Sequence, residues 1–586
     1  MSRQPSLTQS MSALHTWAGL VLGWLLFAIF LTGTLAVFDR ELNWWMQPEL
    51  QDRQVDQASA VQVAQRWLEA NHPAASAWNI GLPTARDPSL SVSAGEQRRG
   101  QRTLIDAESG EQITPRETAG GSFFFRFHYT LHMPRFLGIW VVGFAAMAML
   151  VAIISGILIH KKIFKDFFTF RPGKGQRSWL DGHNASAVLL LPFHLMITYT
   201  GLVIFFLIYM PAATDALYNG DRDALLRELR PGAQQQQGAA RGGEGGRPSR
   251  EVPAASAVML PLEQFIALGE AHYGAGMLSS LSVAQPGRVN ARVEVRPLLG
   301  SSLELTKGEA LAFNAITGEL LRAPPPTRTS LLVQKVMAGL HFAQFGGYPM
   351  RWLYFICGLV SSAMIASGLV LYTVKRRRQS AAQGVWLRQV EWLNLACVGG
   401  LMLACVALLW ANRLLPADLA EREGWELRVF FGAWLAALLH ARLRAPLRGW
   451  LEQLAASAVL LLGLPLLDLQ TELAVPDRIR LGVDLTGFGL GALLALCLGT
   501  ERHWKQLAAA APPSLRAWCR PLGVLLLLLA LLLSLQIWPA SMALVGWLGM
   551  LSLCGLVLLL LLPYAPRLAL GLPLLGVLLA PVFMSG

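Results

Sequence analysis

Apolar runs long enough to cross a bilayer recur along this chain, separated by short basic loops and by two long polar segments. The pattern predicts an α-helical polytopic membrane protein. Four spans are expected in the first part of the chain, at 16–38, 136–159, 185–209 and 350–374. The remainder, 385–586, predicts a C-terminal bundle of about seven further transmembrane helices, at 390–411, 427–443, 452–468, 480–499, 521–538, 541–562 and 567–584.

The two polar segments, 39–135 and 210–347, follow the same plan. Each begins with an amphipathic helix, VQVAQRWLEANHP or PLEQFIALGEAHYG. Each ends in strand-like runs around a glycine turn, in TLIDAESGEQI or LAFNAITGELLRA. We therefore expect two small α+β modules. The second contains a stretch of low apolar content, 230–253, which predicts a disordered linker.

The spans that precede the two modules also share a pattern. LHTWAGLVLGWLLFAIFLTGTLAVF and GHNASAVLLLPFHLMITYTGLVIFF each place a TG pair at the same distance from the leading histidine. The span that follows each module is preceded by an LH pair. We therefore interpret residues 1–378 as a duplicated four-helix core. Both repeats start on the same side, so the symmetry axis is expected along the membrane normal.

The distribution of charge predicts the orientation. Short basic loops after the second and fourth spans, 160–177 and 375–378, are expected in the cytoplasm together with the N-terminus. Both modules then lie outside, in the periplasm of a bacterial cell whose inner membrane holds the spans. The net charge of +12 sits largely in such loops, so it does not indicate nucleic-acid binding.

The sequence excludes several kinds of cofactor site. Its six cysteines form no CxxC pair, which argues against a disulfide framework, a cluster site and c-type haem attachment. No GxGxxG follows a strand-like run, so no nicotinamide or flavin domain is predicted. The source of any electrons that this protein transfers would therefore be another protein or a membrane quinol.

Histidines inside membrane spans are costly, so their repetition points to a function. In a duplicated core, His15 would face His183 at the cytoplasmic ends, and His132 would face His341 at the outer entrances. Two imidazoles on opposite sides of one iron make a bis-His haem. These four residues therefore predict two b-type haems with histidine iron ligands.

Three further histidines leave the individual ligands open. His160 follows the second span, and His194 lies near the bilayer centre, where the first span has Leu26. His128 lies one helical turn before His132. Each could replace a member of the symmetric pairs. Two other interpretations also stay open: ordinary interfacial histidines, and a bare metal ion held by His128 and His132.

This combination of motifs resembles the PepSY-associated transmembrane family. The resemblance rests on the LH-led helices with a TG pair, the endings SGILIHKK and SGLVLYTVKRR, and the ITGE turn. The stretch HKKIFKDFFTFRPGKGQRSWLDGHNASAVLLLPFHLMITYTG is similar to the iron-regulated branch, which includes inner-membrane ferric-siderophore reductases. The resemblance covers about 1–378. It implies PepSY-like periplasmic modules and haem-mediated electron transfer to a periplasmic ferric siderophore, with release of iron(II).

Carried over by position, the family's LH histidines are His15, His132, His183 and His341, and the branch stretch adds His160 and His194. The resemblance also implies periplasmic iron-handling proteins and an iron transporter as partners. Two other functions stay open. The protein could be a PepSY-type membrane regulator or protease inhibitor without haem, or a transporter of iron or siderophore, although few charges lie within the first four spans. No chemistry is assigned to 385–586, for which partner docking, quinone contact and a fused iron-uptake protein all stay open.

Overall fold

A computed structural model describes residues 6–95, 102–160, 171, 174–221, 224, 255–306, 309–324, 326–379, 384–468 and 477–507. The first helices are α1 (Leu7–Ala36), α2 (Asp39–Trp45), α3 (Gln57–Asn71), α4 (Gly120–Thr130), α5 (Arg135–Ile159), α6 (Gln176–Leu189), α7 (Leu191–Ile204), α8 (Phe206–Tyr209) and α9 (Pro211–Tyr218). The later helices are α10 (Leu262–Tyr273), α11 (Thr329–Phe342), α12 (Gly347–Gln379), α13 (Val385–Leu414), α14 (Arg422–Leu443), α15 (Pro446–Leu462), α16 (Leu464–Asp468) and α17 (Arg478–Leu507). The strands are β1 (Ala77–Gly81), β2 (Leu90–Ala94), β3 (Thr103–Ile105), β4 (Gln112–Ile113), β5 (Leu278–Ala284), β6 (Arg292–Pro297), β7 (Leu311–Asn314) and β8 (Leu320–Arg322). The expected linker 230–253 and the expected spans 521–538, 541–562 and 567–584 lie outside the described residues.

Five of the described helices are long and apolar enough to cross a membrane: α1, α5, α12, α13 and α17. A sixth span is obtained if α6 and α7, which meet at a 65° bend, are counted together. The bend follows from Pro192 at the start of α7, because proline has no N–H to bond the preceding turn. These helices confirm the prediction of a helical membrane protein.

The strands of both polar segments form one antiparallel sheet of eight strands, in the order β4-β3-β2-β1-β5-β6-β7-β8. The first strands of the two segments pair at its centre, with Ile80 opposite Leu281. α3 and α10 share one apolar core with this sheet, which includes Ala64, Phe265 and Trp78. The sequence predicted a separate module for each segment. The structure joins them because β1 and β5 each cover the other's edge, which would otherwise leave backbone groups unpaired.

The two segments also contain the same kind of turn between their last two strands. The side chain of Asp106 accepts hydrogen bonds from the backbone N–H groups of Glu108 and Ser109, both at 2.9 Å. Asn314 accepts in the same way from the two corresponding N–H groups, at 2.8 and 3.2 Å. The glycine that completes each turn has a positive φ, 77° in the first and 76° in the second. The local geometry of the two segments is therefore closely matched.

A buried ion pair attaches the sheet to the membrane helices. Arg86, in the loop after β1, donates to both carboxylate oxygens of Glu41 at 2.7 Å and to Asp39 at 3.2 Å. It also donates to the carbonyl of Val37 at the end of α1, as does Arg351 on α12. Burial lowers the pKa of Arg86, but the two carboxylates outweigh this effect and raise that pKa above its ordinary value. The charged network thus places the sheet over the ends of α1 and α12.

The later helices pack against one side of the earlier ones. On α1, Trp24 Nε1 donates to Asn394 Oδ1 of α13 at 2.8 Å, and Asn394 Nδ2 donates to the carbonyl of Leu369 on α12 at 3.0 Å. The ring of Phe123 on α4 lies 4.8 Å from that of Phe430 on α14. On the other side, α5 exposes many large apolar side chains, as expected of a helix that faces lipid.

A second contact joins α2 to the C-terminal helices. Trp45 is fully buried, and its Nε1 donates to Asp484 Oδ1 of α17 at 2.9 Å. The guanidinium of Arg413, at the end of α13, lies 4.2 Å from the centre of the same indole, a cation–π contact. One tryptophan therefore contacts charged groups from two of the later helices.

Candidate functional site

Four histidines share one arrangement, in which the imidazole lies against a glycine of a facing helix. At the end of the bundle far from the sheet, His15 Nδ1 lies 2.9 Å from the carbonyl oxygen of Ala152 on α5. His183 Nδ1 lies 2.9 Å from the carbonyl oxygen of Met364 on α12. The glycine of an SG pair comes four residues after each of these carbonyls, one helical turn further along.

The same arrangement occurs near the sheet. His128 Nδ1 lies 2.8 Å from the carbonyl oxygen of Ile29 on α1. His341 Nδ1 lies 3.1 Å from Thr200 Oγ1 on α7. Here the glycine of a TG pair comes four residues after Ile29 and directly after Thr200.

The repeated glycines make room for these rings. A Cβ atom on Gly33 would lie 2.5 Å from His128 Nδ1, and one on Gly201 would lie 2.9 Å from His341 Cε1. At the glycines of the two SG pairs, the corresponding distances to the facing rings are 3.3 and 3.0 Å. The TG and SG pairs therefore have a physical explanation, because they let an imidazole approach a helix backbone closely enough to hydrogen-bond to it.

These hydrogen bonds determine which ring nitrogen is available. A carbonyl oxygen can only accept, so Nδ1 of His15, His128 and His183 must carry the ring proton. The lone pair of Nε2 then remains available on each ring. Histidines that bind metals are commonly held in this way, with one nitrogen bonded to the protein and the other to the metal.

The four rings form two pairs, one towards each end of the bundle. The ring centroids of His15 and His183 are 6.3 Å apart, and those of His128 and His341 are 6.1 Å apart. Two imidazoles bound to one metal, each at about 2 Å, would have centroids roughly 6 Å apart. The 18 residues from His15 to Gly33 along α1 separate the two pairs by about 27 Å at 1.5 Å per residue.

The structure places His132 against aromatic side chains and outside the two histidine pairs. α4 ends at Thr130, and Leu131 and His132 have positive φ values of 50° and 58°. The ring of His132 packs against Phe123 and Phe431, with centroid distances of 6.0 and 5.3 Å. The expected pairing of His132 with His341, and the metal site of His128 with His132, are therefore replaced by a pairing of His128 with His341.

A signal for this pairing is present in the sequence. His128 lies 27 residues before the serine of the next SG pair, and His341 lies 26 residues before the serine of the equivalent pair. His132 lies only 23 residues before that serine. The LH pair is less reliable than this spacing for identifying the histidine that faces His341. A turn of positive φ separates His132, in the LH pair, from the helix that carries His128.

The two remaining candidates, His160 and His194, differ from the four. His194 is buried on α7, but its Nε2 lies 2.9 Å from Ser361 Oγ, so this nitrogen already has a partner. Its ring centroid lies 6.5 Å from that of Phe30, between the levels of the two pairs. His160 follows the last residue of α5, and its backbone N–H donates to the carbonyl of Gly156 at 3.2 Å.

A cavity of about 850 Å³ begins at His128 and His341. Its volume is that of a pocket for a cofactor or a drug-sized ligand. The wall near the middle of the bundle is apolar and includes Leu26, Phe30 and Phe193. The wall near the sheet carries charged side chains from the second polar segment: Arg296, Glu309, Arg322, Arg328 and Lys335.

Within the described part of the chain, no three His, Cys, Asp or Glu side chains come together as a site for a bare metal ion. Two imidazoles alone suit a metal whose other coordination positions are filled by a macrocycle. The paired rings and the cavity beside one pair therefore fit a haem better than an isolated metal ion.

Known protein families match both parts of the chain. Residues 12–375 match the family described as PepSY-associated TM region. Residues 484–582 match a family described as a protein of unknown function (DUF3325). An uncharacterized protein of Pseudomonas aeruginosa is 27% identical over 409 residues, which cover 66% of this chain and 95% of that protein.

Proposed function

The chain belongs to the family of PepSY-associated TM regions, and on this basis we propose that it is a haem-containing reductase of the bacterial inner membrane. It belongs, in this proposal, to the iron-regulated branch. It carries electrons from a quinol or a cytoplasmic donor to a ferric siderophore in the periplasm, from which iron(II) is released.

One observation carries the proposal: two pairs of imidazoles lie about 27 Å apart along α1, each pair spaced for a single metal. His15, His128 and His183 have Nδ1 held by a backbone carbonyl, and His341 has its Nδ1 beside a threonine hydroxyl. Such a separation is close to the thickness of the hydrocarbon layer. A macrocycle held at each level would shorten the gap that an electron must cross between the two faces of the membrane.

The residues have defined roles in this proposal. His128 and His341 hold one b-type haem, and His15 and His183 hold the other. When bound, haem supplies a one-electron carrier at each level. The chain orients the imidazoles through the carbonyls of the facing helices, and the glycines of the TG and SG pairs allow the rings to approach. The apolar wall of the cavity, with Leu26 and Phe193, lies beside the pair near the sheet and suits the apolar faces of a macrocycle.

We also propose that residues 1–378 are a duplicated four-helix core with two PepSY-like modules. The strand order of the sheet reads the same from its centre in both directions, and the turns at Asp106 and Asn314 match. The basic loops 160–177 and 375–378 favour a cytoplasmic position for the end that carries His15. The sheet then lies in the periplasm.

The chemistry of the substrate agrees with a periplasmic site beside the sheet. A siderophore holds iron(III), a hard ion, through oxygen ligands. Transfer of one electron converts it to iron(II), which such ligands hold less tightly, while the quinol or cytoplasmic donor is oxidised. The cavity beside His128 and His341 reaches the charged residues near the sheet, where a chelate would approach.

A visible spectrum tests the proposal. Full-length protein purified from haem-replete cells should show a Soret band, and sharp α and β bands after dithionite. His128→Ala and His341→Ala should each remove about half of the haem, as should His15→Ala and His183→Ala. His132→Ala is the matched control and should retain both haems, since its ring packs against phenylalanines.

Other outcomes would favour the alternatives. A colourless preparation of the unmodified protein would reject the reductase and favour a haem-free regulator. Uptake of the intact ferric chelate into proteoliposomes without formation of iron(II) would favour a transporter.

A further inference from the structure

Tyr209 repeats, with a phenol ring, the contact that three of the histidines make with the backbone of a facing helix. Its hydroxyl on α8 donates to the carbonyl oxygen of Ile139 on α5 at 2.9 Å. Gly143 comes four residues after that carbonyl, and a Cβ atom on Gly143 would lie 2.5 Å from Tyr209 Cζ. As at the TG and SG pairs, a glycine lets an aromatic ring reach the backbone of the neighbouring helix. This contact lies outside the two histidine pairs, so it needs its own explanation.

The contact closes one wall of the cavity. This wall, the lateral seam, is formed by α5 on one side and by α7 and α8 on the other. The described lining at the lateral seam comprises Val142, Gly143, Ala146, Met149, Gly201, Leu202, Ile204, Phe205 and Tyr209. Another face of α5 is open, with Phe144 59% exposed and Trp140 37% exposed. The lateral seam therefore separates the cavity from the side of the bundle that we expect to face lipid.

The lateral seam is apolar, unlike the end of the cavity near the sheet. Beyond Arg135 at the start of α5, the described lining from α5 and α7 includes one polar side chain, Thr198. The arginine and lysine side chains of the second polar segment lie instead at the sheet end. Passage of a large apolar ring among charged groups would remove water from them, which is costly. The lateral seam imposes no such cost on an apolar ligand.

The backbone on either side of α8 leaves the helical conformation. α8 has four residues, and Phe205 before it has φ −106° and ψ 19°. Met210 after it has φ −124° and ψ 60°. Movements of segments are commonly absorbed at such positions, at the ends of elements. A rotation of α8 about them would separate Tyr209 from α5 and leave α7 intact.

We propose that the lateral seam is the entrance through which haem moves from the bilayer to His128 and His341, and that Tyr209 holds this entrance closed. Haem is a planar and largely apolar ring, so it dissolves in lipid and suits an apolar entrance. The inference rests on the proposed function, which places haem between these two imidazoles. Tyr209 acts on the path of the ligand and leaves the bound ligand to the histidines.

The rates of haem entry and release test the entrance. Full-length His15→Ala protein is reconstituted in vesicles without haem, so that one complete histidine pair remains to be filled. Haem added to the same lipid reports its entry by the Soret band, and apomyoglobin outside the vesicles then removes it. Tyr209→Phe removes the hydrogen bond to Ile139 and should raise both rates about three- to tenfold, as expected for one hydrogen bond within a membrane. The affinity, which is the ratio of the two rates, should stay unchanged.

A second variant and two controls accompany this change. Gly143→Ala should also raise both rates, since a Cβ contact of 2.5 Å requires the ring of Tyr209 to move. Tyr199→Phe is matched to Tyr209→Phe, because Tyr199 on α7 is 53% exposed and lies outside the described lining. Gly19→Ala is matched to Gly143→Ala, because a Cβ on Gly19 would have no described heavy atom within 4 Å. Both controls should show the rates of the His15→Ala parent.

Two results would overturn the entrance. One is unchanged rates of haem entry and release in both Tyr209→Phe and Gly143→Ala. The other is faster release with unchanged entry, which would assign Tyr209 to holding the bound haem. Metal-free protoporphyrin needs no histidine ligand, and its fluorescence anisotropy reports entry in the same vesicles. Faster porphyrin entry in the two variants of a protein that binds no haem would reject the reductase alone, and a protein that takes up neither ring would reject both.

Discussion

At the scale of single residues, the distance between a glycine and a facing imidazole limits how closely a candidate ligand approaches its helix. Two glycines of α1 illustrate the contrast. A Cβ on Gly33 would meet the ring of His128 at 2.5 Å, whereas a Cβ on Gly19 would have no described heavy atom within 4 Å. The same substitution on the same helix should therefore have different effects at the two positions.

Gly33→Ala should displace the ring of His128, because a Cβ contact of 2.5 Å requires the ring to move. The hydrogen bond from Nδ1 to the carbonyl of Ile29 would then lengthen or break. We expect a lower haem content and a shifted reduction potential at the site near the sheet, measured by spectroscopy during a redox titration. Gly19→Ala is the control and should match the unmodified protein. A Gly33→Ala protein with normal haem content and potential would contradict this role for the glycine.

Residue spacing predicts one of the two pairs. The repeated distance from the leading histidine to the TG pair indicates that His15 and His183 face each other, and their ring centroids lie 6.3 Å apart. The partner of His341 is harder to predict from the sequence. The end of α4 depends on positive φ at Leu131 and His132, which the apolar pattern does not reveal, so the LH pair favours His132 over His128.

At the scale of elements, the apolar runs predict where helices lie, and the structure adds how they join. The 65° bend between α6 and α7 depends on Pro192, whereas hydropathy alone suggests one span over 185–209. Strand pairing between the two polar segments is not predicted because β1 and β5 are far apart in the chain, and local patterns do not specify such partners. The contact of α2 with α17 escapes prediction for the same reason.

Trp45→Ala should loosen the contact between α2 and the C-terminal helices. It removes a fully buried indole and leaves Asp484 and Arg413 without their contacts to it. We expect the free energy of unfolding to fall by about 3–5 kcal/mol, seen as a lower midpoint of thermal unfolding in detergent. Trp17→Ala is the control, because Trp17 is 49% exposed on α1 and should tolerate the change. Equal midpoints for the two variants would show that the contact contributes little.

At the scale of the whole molecule, the two histidine pairs lie at different depths of one bundle, and only the pair near the sheet lines the described cavity. The proposed function requires both pairs, since neither alone spans the membrane. Ile479 of α17 packs with Trp44 and Leu50 against β3 and β4 in one half of the sheet, whereas β6 and β8 in the other half supply residues that line the cavity. Within the described residues, the two ends of the bundle therefore differ in whether a cavity adjoins the histidine pair.

His15→Ala should separate electron transfer from haem binding near the sheet. With a quinol inside proteoliposomes and ferric citrate outside, formation of iron(II) should fall to background, because about 27 Å would lie between the donor side and the remaining haem. The haem near the sheet should still be reduced by external dithionite. His132→Ala should sustain normal iron(II) formation. A His15→Ala protein with an unchanged rate would contradict a path through both levels.

The central pairing of β1 with β5 has a consequence for how the protein is made. β1 emerges from the ribosome about 200 residues before β5, and α5, α6 and α7 must be inserted in the membrane between them. Throughout that interval, the edge of β1 that later binds β5 is an open template for other strands. The first half of the sheet therefore needs protection from aggregation until the second half has been synthesised and has paired with it, and neither half should be stable when produced alone.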